Sequence, residues 1–79
     1  MIIKILGSGC VKCKKLYENA LKAVEESGLD VKVEKVEDIN KIIDYGVMMT
    51  PGLVVNEHVR SVGKVLKSSD ILELLKQEG

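Results

Sequence analysis

The chain contains no tryptophan and no phenylalanine, and only two tyrosines among its 79 residues. Aromatic platforms on which nucleic-acid bases stack are therefore missing. Positive charge is not in surplus either, since twelve basic and twelve acidic side chains leave a formal charge of zero. Together these absences exclude nucleic acid as an expected partner. No apolar run approaches the ~20 residues that a membrane-spanning helix needs, so no membrane is expected. The opening Met1-Ile2-Ile3-Lys4-Ile5-Leu6 lacks a basic leader, and its apolar run is too short for a signal peptide. A cytoplasmic protein is the expectation. Soft metal ligands are scarce: one histidine, His58, and two cysteines. Structural zinc asks for four ligands, so no metal site closed within one chain is expected, although a dimer sharing one metal stays open.

What the chain does have is concentrated in Gly7-Ser8-Gly9-Cys10-Val11-Lys12-Cys13. Both cysteines stand here, in C-x-x-C spacing. Residues three apart on a helix share one face, with Cβ atoms roughly 5–6 Å apart, near the reach of a disulfide. A helix opening at Cys10 or Val11 would aim unpaired backbone N–H groups and a partial positive charge at Cys10. Both favour thiolate, so a depressed Cys10 pKa is expected, with Lys12, Lys14 and Lys15 adding positive charge nearby. Cys13, one turn further in, should be less exposed. The division that follows makes Cys10 the attacking nucleophile and Cys13 the resolving thiol. An inert structural disulfide is the bland alternative, but a loop this short constrains the unfolded chain little. In a cytosolic setting paired cysteines more often serve catalysis or metal binding.

The remaining elements follow from periodicity, and the whole chain, residues 1–79, reads as a single domain. Ile2 to Leu6 is a buried strand. Val11 to about Ser27 is a helix, with Cys13, Leu16, Tyr17, Ala20, Leu21 and Val24 on its apolar face and Gly28 past its end. Val31 to Val36 alternates apolar and charged residues for most of its length, as a strand with one wet face does. Asp38 should cap a short helix from Ile39 to about Tyr45, with Ile39, Ile42 and Ile43 inward. After Gly46, the only proline, Pro51, stands just before the strand Leu53–Val55. Asn56-Glu57 is the turn of a hairpin returning as His58 to Val62. Glutamate fits poorly at a turn position needing positive φ, so a longer turn stays open. Ser68 or Ser69 should cap a last helix, with Ile71, Leu72, Leu74 and Leu75 facing the core. The order is β-α-β-α-β-β-α. Strands one and two should be parallel, and the last two antiparallel. The fold class is α/β, a four-stranded mixed sheet with helices on both faces.

With the cysteine pair after the first strand, Thr50-Pro51 before the hairpin and Gly63 after it, the sequence resembles the thioredoxin fold. It is most similar to the small archaeal and bacterial thioredoxin/glutaredoxin-like proteins labelled redox-active disulfide proteins. The resemblance covers the whole chain. It implies a thiol–disulfide oxidoreductase, an electron carrier whose only cofactor is its own Cys10–Cys13 dithiol/disulfide. It also implies a cis Thr50–Pro51 bond beside the disulfide and client docking at Val11, Lys12, Met49, Thr50, Pro51 and Gly63. Partners would be client proteins with disulfides and a recycling enzyme resembling thioredoxin reductase, and a monomer is expected. Several positions depart from the family. Val11-Lys12 stands where thioredoxins have Gly-Pro, Gly9 where a tryptophan precedes the first cysteine, and Lys4 is the only polar group on a strand where thioredoxins keep a buried acid. Val62-Gly63-Lys64-Val65 lacks the acids with which glutaredoxins hold glutathione. A second resemblance competes: the opening also looks like heavy-metal-associated domains, which hold Cu(I) between two thiolates. Those domains run β-α-β-β-α-β and end on a strand, whereas this chain ends on a helical pattern. A redox-switched interaction module without turnover is not separated from the oxidoreductase by sequence.

Overall fold

The computed structural model describes residues 1–7 and 11–78. The elements are β1 (Ile2–Leu6), α1 (Val11–Ser27), β2 (Lys32–Val36), α2 (Ile39–Asp44), β3 (Gly52–Val55), β4 (His58–Val62) and α3 (Ser68–Glu78). The four strands form one sheet in the order β2-β1-β3-β4. β1 pairs parallel with β2 and antiparallel with β3, and β3 pairs antiparallel with β4. The central strands β1 and β3 are the most apolar, because both of their faces are covered. Among the described residues no helix is long and apolar enough to cross a membrane.

Strand alternation divides the core in two. Ile3 and Ile5 of β1 and Leu53 and Val55 of β3 point to one side, where Leu16, Ala20 and Ala23 of α1 and Ile71 and Leu75 of α3 cover them. Leu6 and Val54 point to the other side, against Ile42 of α2 and Val47. On α1 the buried positions are Cys13, Leu16, Ala20 and Ala23. Ala23 thus takes the inward place expected of Leu21, which is 44% exposed. Tyr17 and Val24 pack on the rim of the same core.

Three other expectations are corrected, and the expected hairpin turn is kept. Ile39 and Ile43 do not turn inward; they are 62% and 55% exposed, and only Ile42 is buried. A helix of six residues presents little more than one inward position, and Val47 and Tyr45 fill the neighbouring space. β2 has no uniformly wet face, since Val33 packs on the α1/α3 side and Val36 on the α2 side. The broken alternation at Lys35-Val36 sends the two valines to opposite faces of a sheet covered on both. The last helix begins at Ser68 itself, and Ile71 N–H donates to the Lys67 carbonyl. Lys67 therefore holds the cap position expected of Ser68 or Ser69. The hairpin keeps its two-residue turn, with Asn56 at φ 49 and Glu57 at φ 68, so no longer loop is needed. Asp38 caps α2 as its sequence implies, its side chain accepting from the Asn40 N–H.

The two-residue turn requires positive φ at Glu57, and its side chain is held as well. One carboxylate oxygen accepts from Lys4 Nζ at 2.7 Å and the other from the Tyr45 hydroxyl at 2.9 Å. Lys4 also donates to the Tyr45 oxygen at 2.9 Å. β1, the end of α2 and the hairpin tip are thereby joined on the α2 side of the sheet.

Candidate functional site

Register brings the separate sequence motifs to one end of the sheet. Leu6 lies opposite Gly52, and Gly52 opposite Val62. The residues just beyond them, Gly7, Pro51 and Gly63, therefore gather at the same edge. The first turn of α1 lies there too, since the Cys13 sulfur stands against Gly7. Two hydrogen bonds fix the arrangement: Gly7 N–H donates to the Val36 carbonyl at 3.0 Å, and Gly63 N–H to the Pro51 carbonyl at 2.8 Å. The Asn19 side chain donates to the Leu66 carbonyl at 2.8 Å, tying α1 to the segment after Gly63.

Cys13 is buried at 6% exposure, one turn into α1. Its sulfur packs against Gly7, where a Cβ would fall on it. The Thr50 Cβ also borders this space, 3.3 Å from where a Gly7 Cβ would stand. The Thr50–Pro51 peptide bond is cis, and Pro51 is buried while Thr50 is exposed. Met49 lies over Gly63, its Cε 3.3 Å from the position a Gly63 Cβ would take. At this end Val11 is 73% and Met49 63% exposed, and Met48, next in the chain, is 88% exposed. Lys12 is exposed beside Val11. Cys10, with the thiolate and the disulfide partner expected of it, lies outside the described residues, as does Gly9.

Of the positions singled out in the sequence, Val11, Lys12, Cys13, Met49, Thr50, Pro51 and Gly63 all stand at this end. His58 does not. It pairs with Val55 beside the hairpin turn, at the opposite end of β3 and β4. Two residues escaped the sequence reading. Gly7 is one; its only signal is a glycine ending β1 immediately before the cysteine segment. Glu57 as the partner of Lys4 is the other, and nothing local announces a contact across 53 positions.

Two open clefts mark the surface elsewhere. One, of about 550 Å³, lies on the α2 side over Lys4, Tyr45 and Glu57. The other, of about 510 Å³, runs between β4 and α3 beside Arg60 and Leu74. Neither is lined by Cys13, Thr50 or Pro51. Among the described residues no three His, Cys, Asp or Glu side chains are grouped to hold a metal.

Comparison with known proteins gives a consistent picture. The family model of the thioredoxin domain matches residues 1–76. A protein of Methanocaldococcus jannaschii named thioredoxin is 42% identical over 76 residues, covering 96% of this chain and 87% of the relative. A thioredoxin of Methanothermobacter thermautotrophicus is 36% identical over 75 residues, covering 95% and 97%. A solved structure described as a malarial protein superposes with a TM-score of 0.72 at 18% identity, covering 96% of this chain and 93% of that one. At that identity it speaks for the fold alone.

Proposed function

The chain belongs to the thioredoxin domain family, and on that premise we propose that it is a thiol–disulfide oxidoreductase working through Cys10 and Cys13. The observation that carries the reading is the placement of Cys13: buried, one turn into α1, with its sulfur against Gly7 at the end of the sheet where the cis Thr50–Pro51 bond also lies. A sulfur held this way is out of reach of a client and within reach of a neighbour on its own helix turn. That suits a resolving thiol and leaves the attack to Cys10.

In the reducing direction the Cys10 thiolate attacks one sulfur of a client disulfide. A Cys10–client bond forms, the client S–S bond breaks, and one client sulfur leaves as thiolate. Cys13, deprotonated, then attacks Cys10; the Cys10–Cys13 bond forms, and the second client sulfur leaves with the electron pair. Two electrons pass to the client, and the protein ends as a disulfide. A recycling reductase of the thioredoxin-reductase kind returns them. Val11, Lys12, Met49, Thr50, Pro51 and Gly63 form the docking surface. Exposed Val11, Met48 and Met49 suit an extended polypeptide, since methionine adapts to varied partners. The working compartment is the reducing cytoplasm, and the protein acts as a monomer. The soft-metal carrier draws no support: a helix between β2 and β3 and another at the end do not fit that fold.

The test is equilibration in dithiothreitol and glutathione redox buffers, which together span the range of thioredoxin-fold dithiols, followed by alkylation and mass spectrometry. A single reversible transition in which two thiols disappear together is expected. Cys13→Ser should accumulate a mixed disulfide at Cys10 with a peptide disulfide, and Cys10→Ser should form none. Thiols that stay reduced throughout, or a Cys10→Ser variant that exchanges as fast as the parent, overturn the reading.

A further inference from the structure

Gly7 stands between the two halves of the site. Its φ of 147° lies in the range that favours glycine. Its missing side chain is also the space that the Cys13 sulfur occupies, with Thr50 bordering it. The backbone here is not free to retreat, because Gly7 N–H is bonded to the Val36 carbonyl and Leu6 is wholly buried. Helix α1 is not free to retreat either, because Leu16, Ala20 and Ala23 behind Cys13 have no exposed surface. A methyl group at position 7 would therefore have to displace the sulfur itself.

We propose that Gly7 is a positioning residue for the resolving step, seating the Cys13 sulfur against the end of β1 so that it attacks Cys10 from a fixed place. This rests on the reading of Cys10 as attacking and Cys13 as resolving thiol. In that step the Cys13–Cys10 bond forms along the line on which the Cys10–client bond breaks. The client sulfur leaves with the electron pair and takes a proton from water. In-line displacement depends steeply on geometry, and a misplacement on the order of 1 Å lowers a rate about 100-fold. The first step uses Cys10 alone and does not depend on where the Cys13 sulfur lies.

The experiment follows both steps in the full chain with acid quench and mass spectrometry, using an intermolecular peptide disulfide as probe. In Gly7→Ala the Cys10–peptide adduct should form at the parental rate and resolve about 10-fold to 100-fold more slowly. Equal resolution rates in parent and variant overturn the proposal. A parent that forms no adduct overturns instead the reading on which it rests. The second measurement compares the melting-temperature cost of Gly7→Ala in the parent and in a Cys13→Ala background. A cost that shrinks once the sulfur is gone supports the collision, whereas an equal cost assigns the glycine to backbone conformation alone and sinks the proposal. If Gly7→Ala fails to fold, the same comparison decides. The double variant folds if the sulfur is the obstacle and stays unfolded if the backbone is.

Discussion

Lys4 and Glu57 are the clearest case of single residues whose chemistry is set by their contacts. The hydrogen bond from Lys4, and then that from Tyr45, holds the Glu57 carboxyl below the ordinary carboxylate range. The same bond to Glu57, and then that to Tyr45, holds the Lys4 ammonium above the ordinary lysine range. For Glu57 the folded value is the lower one. Its stabilisation is present above the unfolded value of about 4.3 and is lost as pH falls through the folded value. For Lys4 the folded value is the higher one. Its contribution is present below about 10.4 and is lost as pH rises through the folded value. Melting temperature should therefore gain nothing from this pair below the Glu57 transition and hold its benefit from about pH 5 to 10. Glu57→Gln and Lys4→Met should each flatten part of the acid slope below about pH 5, measured by circular dichroism. The change should be small, because 63% of the Glu57 side chain is exposed and water screens the pair. A slope equal to that of the parent would show that the contact carries no linkage. None of this was legible locally. Lys4 reads as one charge in an apolar strand, and Glu57 as an awkward turn residue; only the closed sheet puts them together.

At the scale of elements, α2 separates pattern from burial. Three isoleucines at helical spacing suggested an apolar face, and one of them meets a partner. Ile42→Ala should cost about 2–3 kcal/mol, the low end for a buried isoleucine, because a short surface helix can partly collapse onto the gap. Ile39→Ala and Ile43→Ala should stay within about 0.5 kcal/mol of the parent. Asp38→Ala, which removes the cap on Asn40 N–H, should cost about 1 kcal/mol. Urea midpoints at unchanged slope would measure all four. A large loss at Ile39 or Ile43 would mean that these side chains are covered in solution. The longer helices were easier to read. α1 spans 17 residues, enough turns for periodicity to mark its inward line, with an error only between Leu21 and Ala23. Against the sheet, alanine fits where a helix comes close.

For the molecule as a whole, size sets the margin. A chain of 79 residues has roughly 4–12 kcal/mol of stability at about 0.05–0.15 kcal/mol per residue. Leu53 is wholly buried in the larger core cluster, between β1 and the two helices on that side. Leu53→Ala should cost about 2–5 kcal/mol, a large share of that margin. Its urea midpoint should fall accordingly, and the variant should be substantially unfolded at 37 °C if the parent lies at the low end. Val62→Ala, on the exposed flank of β4 at 38% exposure, should be close to neutral by comparison. Equal costs at the two positions would contradict the division of the sheet into covered and open parts.

The element order, the ends of β1 and α1, the Asp38 cap and the position of Pro51 just before β3 were legible in the sequence alone. Each is written in residues close together in the chain: apolar periods, a capping carboxylate, a glycine stop, a proline ahead of an apolar run. The tertiary structure alone decided which apolar residues are covered, how Glu57 is held, and that Gly7, Cys13 and Thr50 share one small space. The reason is physical. A local pattern states which side of an element avoids water, but the partner surface available to cover it comes from other parts of the chain. At α2 that surface covers one isoleucine of three, and at Gly7 it leaves room for a sulfur and no more.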